Sequence, residues 1–157
     1  MSARAALPDI GAILRPILAT VAPPDVPLLL ANAERMAAER YRGWAEAVGD
    51  PATRAGLLAC AAREDEIAAL VESVHADATA IQTRLRTAHP DLAAINAAIF
   101  ADRPLAEQFA IQAGGERLGA ATWRSLAGTR PDGAGRDAFL ACAPLEEASA
   151  VFLETLA

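Results

Sequence analysis

Apolar residues recur every three or four positions along most of this chain, the spacing that gives a helix one buried face. Period-2 alternation, which is typical of half-buried strands, is absent, so the pattern predicts an all-α fold. We expect four long helices, at about 26–47, 52–87, 104–127 and 136–156. Two shorter apolar helices are expected at 8–20, before the first long helix, and at 91–100, between the second and third.

The links between these helices favour one topology. Gly49-Asp50-Pro51 and residues 128–135 form short links within each pair of long helices, whereas a long link joins the pairs. Two helical hairpins, at about 26–87 and 104–156, joined by one crossover describe a four-helix bundle. Because 157 residues suit one hydrophobic core, we predict a single domain over residues 1–157.

The two predicted hairpins resemble each other in sequence. Shifted by 82 positions, residues 34–72 align with residues 116–154 without a gap, and fifteen of the 39 pairs are identical. Six identities are alanines in an alanine-rich chain, but the other nine are not explained by composition. The period is too long for a solenoid. The sequence therefore predicts a fold made by duplication of one helical hairpin.

Each long helix carries one glutamate within its apolar stripe. These residues are Glu34, Glu64, Glu116 and Glu146. The first two lie fifteen residues on either side of Gly49, and the last two fifteen on either side of Pro131. Because both centres lie in predicted turns, each antiparallel hairpin should bring its two carboxylates to one level. We therefore expect four carboxylates to meet in the interior.

Such a cluster needs compensating charge. An ionised carboxylate is costly to bury unless it is paired or bound to metal, and neighbouring carboxylates raise one another's pKa. Protons, arginines or two divalent metal ions could compensate it, and the metals are familiar in helical bundles. The alternative is that slightly rotated helices turn the glutamates toward Arg35, Arg63 or Arg117.

The residues around these glutamates resemble a known family. Glu34-Arg-Met-Ala-Ala-Glu-Arg-Tyr41 is similar to the first metal-binding motif of rubrerythrin-type members of the ferritin-like superfamily, and Glu116 to Trp123 repeats it. Asp50-Pro51 and the segment Arg63-Glu64-Asp65-Glu66 resemble the second motif. The likeness covers about residues 28–156. It implies a ferritin-like bundle that binds Fe or Mn through the four glutamates, and the apolar pattern at 8–20 adds an extra N-terminal helix.

The chain departs from that family where histidine ligands are expected. The positions three residues after the second glutamate of each hairpin hold Ile67 and Ser149. Without these histidines, at most four carboxylates remain as protein ligands to a metal. A set of oxygen ligands alone suits Mn, Mg or Ca better than an iron centre that needs imidazole. This favours a degenerate metal site.

Three functional interpretations follow. The first is a ferritin-like protein with a degenerate four-carboxylate site, acting as a binding or structural module. The second is a dinuclear Fe or Mn oxidoreductase that uses the four glutamates. The third is a small-ligand binder with an apolar cavity, covered by residues 8–20 and 91–100. The sequence leaves open whether the protein is an enzyme.

Composition and charge limit the classes of partner and of chemistry expected for this protein. A net charge of −6 argues against a nucleic-acid surface, and the absence of lysine among the 14 basic residues excludes a lysine Schiff base. No apolar stretch is long enough for a membrane span, and we expect a cytoplasmic protein. A homodimer is expected because the helix around Leu28-Leu29-Leu30 is apolar on more than one side.

Two further features have simple explanations. Glu72-Ser-Val-His75 is a literal Glu-x-x-His, but the repeat does not support it as a ligand pair, and His75 is interpreted as touching the N-terminal segment. Cys60 and Cys142 are expected to be buried core residues, too far apart for a disulfide.

Overall fold

The computed structural model describes residues 6–157, which fold into helices joined by short turns. In order these are α1 Ile10–Leu18, α2 Val26–Ala47, α3 Pro51–Ser73, α4 Ala78–Ala88, α5 Leu92–Phe100, α6 Leu105–Gly128 and α7 Ala134–Glu154. A 3-10 turn at Pro23–Asp25 leads into α2. The prediction of an all-helical chain is confirmed for these residues, none of which forms a strand.

Local chemistry explains where several helices begin. The Asp9 carboxylate caps α1 by accepting from the Ala12 amide at 3.0 Å. Asp50 caps α3 by accepting from the Thr53 amide at 2.7 Å, and Pro51 follows at the first helical position, where its missing N–H costs nothing. Gly133, before α7, has φ of 145°, a conformation open chiefly to glycine.

The prediction of one continuous helix over 52–87 is wrong. Helix α3 ends at Ser73 and α4 begins at Ala78, and between them Asp77 adopts a left-handed conformation with φ of 56°. Aspartate is one of the few residues besides glycine that adopt it readily. The break turns α4 onto α2, where Arg84 pairs with Asp25 at 2.6 Å. Apolar spacing continues through the break, so periodicity alone could not locate it.

The four long helices pack in an unequal way. Helix α2 packs along α3, α6 packs along α7, and α3 against α7 joins the two pairs. Helices α2 and α6 instead meet through long side chains, such as the Trp44 indole N–H that donates to Gln108 at 2.8 Å. Helix α1 packs on α6. The α2–α6 side is therefore where the interior is most open.

The buried apolar residues form two separate clusters. The first contains Leu28, Ile67, Trp123 and Phe139, and the second contains Tyr41, Leu57, Phe109 and Leu153. Each long helix contributes to both clusters, with a short stretch of helix between the two contributions. The predicted glutamates lie in those stretches, so the fold places one polar layer between two apolar ones.

Surface ion pairs recur at equivalent positions of the two aligned segments. Positions 82 residues apart form Arg35–Glu72 and Arg117–Glu154, and likewise Arg42–Asp65 and Arg124–Glu147. Each exposed pair contributes at most about 1 kcal/mol to stability. These ion pairs matter here for their position, because they lie at the same helix–helix contact in both halves.

Two other expectations concern the chain as a whole. None of the helices within residues 6–157 combines the length and apolar character that a membrane crossing requires. Cys60 and Cys142 are both buried and both free, as expected for small core residues.

Candidate carboxylate site

The four predicted glutamates meet in the layer between the apolar clusters. Glu64, Glu116 and Glu146 are 0%, 1% and 2% exposed, while Glu34 keeps part of its side chain open to a small cavity. One carboxylate oxygen each from Glu34, Glu64 and Glu146 lie within 4.8 Å of one another. Glu116 adjoins this group, since it is hydrogen-bonded to Glu146. All four long helices thus contribute one carboxylate to a single cluster.

Neutral side chains hold the carboxylates in place. The Tyr41 hydroxyl and the Gln112 amide both donate to Glu116 Oε1, each at 2.6 Å. The Trp123 indole N–H donates to Glu146 Oε1 at 2.9 Å, and the Ser149 hydroxyl donates to Glu64 Oε1 at 3.3 Å. Ser149 occupies one of the two positions at which the family resemblance leads to the expectation of a histidine ligand. It contacts the same carboxylate network as a hydrogen-bond donor.

No arginine forms an ion pair with the cluster, although the charge of Arg40 acts on Glu34, Glu64 and Glu116 from a longer distance. Among the nine ion pairs formed by residues 6–157, none includes Glu34, Glu64, Glu116 or Glu146. Arg35 and Arg117 pair with surface carboxylates, and Arg63 donates to the Cys60 sulfur at 3.5 Å. The alternative of rotated helices with arginine-paired glutamates is therefore wrong for this structure.

Two buried oxygens of the cluster also lack hydrogen-bond partners. Glu64 Oε2 and Glu116 Oε2 are enclosed and accept no hydrogen bond from any described residue outside the cluster. An unsatisfied buried acceptor costs about 1–3 kcal/mol, and more if it is charged. These two oxygens therefore have only a proton of a neighbouring carboxyl group, or a bound cation, as a bonding partner.

Burial and mutual repulsion change the protonation of these groups. Burial, together with the charge of Glu116, raises the pKa of Glu34 from 4.5 to about 7. The pKa values of Glu64 and Glu146 lie well above their usual range, mainly through burial and then through the neighbouring carboxylates. Without a cation, the protonated forms of Glu64 and Glu146 are therefore favoured, with hydrogen bonds to Glu34 and Glu116 respectively.

A small cavity reaches the cluster between α2 and α6. It has a volume of about 130 Å³, and Glu34, Glu116 and Glu146 lie in its wall. Residues of α1 and α5, including Ile10 and Phe100, line its other side. This volume is several times that of one water molecule, so a small molecule could lie beside the carboxylates.

Glycine is required at one position of the cavity wall. A methyl group at Gly119 would lie 2.4 Å from Glu146 Oε1 and 2.8 Å from Oε2, closer than atoms approach without displacement. The absence of a side chain at Gly119 therefore makes the space that the Glu146 carboxylate occupies.

Arg40 connects this cavity with a larger cleft on the other side of α2. Its guanidinium donates to Gln112 Oε1 at 2.7 Å, and Gln112 in turn donates to Glu116. It also lies 3.9 Å from the centre of the Phe100 ring and donates to Asn96. Burial lowers the pKa of Arg40 to about 10, which leaves it cationic at neutral pH.

The Glu72-x-x-His75 sequence lies outside the cluster. His75 Nδ1 lies 2.6 Å from the Val71 carbonyl and Nε2 lies 3.1 Å from Arg130, while the ring stacks on Phe139. Its polar and stacking partners outside α3 therefore lie in the loop after α6 and on α7. The expected contact with the N-terminal segment stays a prediction. Glu72 pairs with Arg35.

Sequence reasoning found the four glutamates but missed most of their supporting residues. Gln112 precedes Glu116 by four residues on one helix, a spacing that could have revealed it. Ser149 and Tyr41 act across helices, where only packing brings the groups together. Comparisons with protein-family models, with curated proteins and with solved structures gave no match to this chain.

Proposed function

We propose that this protein binds divalent metal through Glu34, Glu64 and Glu146, with Glu116 as a fourth carboxylate, in a ferritin-like helical bundle. The observation that carries the proposal is the convergence of three buried glutamates with the half-buried Glu34. None of the four forms an ion pair with arginine, and two of their oxygens receive no hydrogen bond from outside the cluster. Divalent cations supply both the missing charge and the missing bonding partners.

The spacing of the oxygens suits such an ion. Two ligands on opposite sides of Mn²⁺ or Mg²⁺ are about 4.2 Å apart, and around Ca²⁺ they are up to about 5 Å apart. The three oxygens, all within 4.8 Å of one another, need little or no movement to reach either range. A donor set of carboxylate oxygens alone favours Mn²⁺, Mg²⁺ or Ca²⁺ over metals that prefer nitrogen or sulfur.

The arrangement of helices supports the ferritin-like part of the proposal. Two hairpins joined by a long connection each contribute two glutamates at one level, as di-metal carboxylate bundles do. The equivalent ion pairs in the two halves support an origin by duplication of one hairpin. A bound ion would hold the cluster together, which fits a binding or structural module.

One observation favours catalysis as a second candidate. The 130 Å³ cavity opens onto Glu34, Glu116 and Glu146, so a small molecule could reach a metal bound there. With Fe or Mn the ion would supply redox chemistry, and this chain's residues would position it and limit water access. The alternative function is therefore a dinuclear Fe or Mn oxidoreductase.

Metal titration of the purified protein tests the proposal. The metal-free protein is equilibrated with Mn²⁺, Fe²⁺ under nitrogen, or Ca²⁺, and the bound ion is counted by elemental analysis after gel filtration. We expect one or two ions per chain, and we expect Glu64→Gln to lose most of the binding. Protons released on metal binding, measured in weakly buffered solution, provide a second readout, because burial favours the protonated forms of Glu64 and Glu146 and metal binding requires the ionised forms.

Glu66→Gln is the matched control. Glu66 lies on the same helix as Glu64 but is exposed, so its substitution should leave stoichiometry and affinity unchanged. Equal metal binding by wild type and Glu64→Gln, or no binding by a folded wild-type protein, would refute the assigned site. Turnover of peroxide or oxygen by the Fe- or Mn-loaded protein would select the oxidoreductase.

A further inference from the structure

A large cleft lies on the outer side of α2, away from the carboxylate cluster. It has a volume of about 960 Å³ and is formed by α2, α4 and α5. Its apolar wall includes Leu29, Met36, Leu85, Leu92, Ala97 and Phe100. Pockets of about 300–1,000 Å³ with mostly apolar walls are typical of sites for small organic ligands.

The cleft carries positive charge although the chain is acidic. Three arginines and two glutamates line it, which gives a charge of +1 at neutral pH, against −6 for the whole chain. Among residues 6–157, Arg35 pairs with Glu72 and Asp65, and Glu39 pairs with Arg42. Arg86 has no carboxylate partner there and donates only to neutral oxygens, on Asn32 at 3.1 Å and on Thr83 at 3.1 Å. Its charge remains available to an anion.

Asn32 adds a polar group that lacks a partner. Its side chain lines the cleft and is only 8% exposed. Because Oδ1 accepts from Arg86, Nδ2 is oriented away from that bond, and it donates to no residue that the structure describes. A buried donor without an acceptor is costly, so an acceptor oxygen from a ligand would be favourable here.

We infer that this cleft binds an amphipathic monocarboxylate, with its carboxylate at Arg86 and Asn32 and its alkyl chain between α2 and α5. The lining residues of α2 extend from Leu29 to Arg40, about 16 Å along the helix axis. That length suits a medium-chain fatty acid rather than acetate or a bulky headgroup. The site is independent of the metal proposal, since none of the four cluster glutamates lines the cleft.

Binding of dodecanoate to the full-length protein tests this assignment. Isothermal titration below the micelle concentration should give one site per chain. Acetate, which lacks the chain, and dodecanol, which lacks the charge, should each bind at least about tenfold more weakly. Arg86→Ala should weaken dodecanoate binding at least about tenfold, since a charge-assisted hydrogen bond contributes about 1.5–3 kcal/mol. Arg84→Ala is the control, because Arg84 lies on the same helix but pairs with Asp25 outside the cleft.

A second pair of variants tests the alkyl end. Ala97 lines the cleft and Ala98, its neighbour on α5, is exposed elsewhere. Ala97→Phe should obstruct the alkyl part of the cleft and weaken dodecanoate binding at least about tenfold, whereas Ala98→Phe should bind like wild type. Circular dichroism of each variant establishes that it is folded.

Three results would overturn the assignment. They are no binding of dodecanoate by folded wild-type protein, equal binding by Arg86→Ala and Arg84→Ala, and equal effects of Ala97→Phe and Ala98→Phe. Retention of dodecanoate binding by Glu64→Gln would separate this site from the metal site, whatever the outcome of the metal titration.

Discussion

The metal-free protein should lose stability as pH rises through neutrality, and Glu34→Gln should remove the part of that loss that Glu34 contributes. The pKa of Glu34 is raised from 4.5 to about 7 by burial and by the charge of Glu116. Between these values the folded state binds a proton that the unfolded state releases. The free energy of unfolding must therefore fall with increasing pH in this interval. This is opposite to the behaviour of a carboxylate stabilised by an ion pair.

The size of the effect follows from the shift. About 1.4 kcal/mol per pKa unit, over a rise from 4.5 to about 7, gives about 3 kcal/mol from Glu34 alone. For a chain of this length that corresponds to a change of about 6–12 °C in melting temperature. At pH 5 wild type and Glu34→Gln should differ little. At pH 8 the variant should be more stable by about 3 kcal/mol.

Urea unfolding followed by circular dichroism at pH 5, 6, 7 and 8, with a chelator present, measures this difference. Glu66→Gln removes an exposed carboxylate from α3 and should follow the wild-type curve. Parallel curves for wild type and Glu34→Gln would refute the reasoning, as would a wild-type protein that is more stable at pH 8 than at pH 5. Added Mn²⁺ should restore wild-type stability at pH 8, because bound metal favours the ionised cluster.

Three further predictions concern single positions. Gly119→Ala should weaken Mn²⁺ binding at least about tenfold, because the added methyl group displaces the Glu146 carboxylate. Gly114→Ala is the control, since its methyl group has open space, and it should leave Mn²⁺ affinity unchanged. Equal Mn²⁺ affinities of the two variants would contradict the assigned packing. Tyr41→Phe should lower the free energy of unfolding by about 1–2 kcal/mol, measured in urea, because one hydrogen bond to a buried carboxylate is lost. Asp77→Gly should raise the melting temperature, since the left-handed backbone conformation costs aspartate about 1 kcal/mol more than glycine. A melting temperature below that of wild type would place the helix break elsewhere.

The carboxylate site was predictable because it depends on helix periodicity and on turn position. Glu34 and Glu64 lie at equal distances from Gly49, and an antiparallel hairpin brings such residues to one level wherever its helices are regular. The structure brings them together in this way, with oxygens of both residues in the three-carboxylate group. The same geometry buries the carboxylates beside one another, and this raises the pKa values of Glu34, Glu64 and Glu146.

The region after α3 was not predictable in the same way. Apolar spacing continues from α3 into α4, and the chain reverses at Asp77 without the glycine or proline that usually marks a break. The cleft depends on this reversal, because α4 would otherwise extend away from α2. Arg86 and Asn32 are 54 residues apart, and only the folded turn brings them together.

The two halves of the carboxylate cluster are not equivalent, although the aligned segments that form it are. Two neutral donors, Tyr41 and Gln112, hold Glu116 in a fixed position. Glu34, its counterpart in the first segment, instead shares hydrogen bonds with the carboxyl groups of Glu64 and Glu146, in addition to one from the Trp123 indole. A metal ion would replace those shared protons but not the donors to Glu116. Metal affinity should therefore rise with pH while Glu116 keeps its position, and a pH-independent affinity between pH 5 and 8 would show that the protons are not displaced.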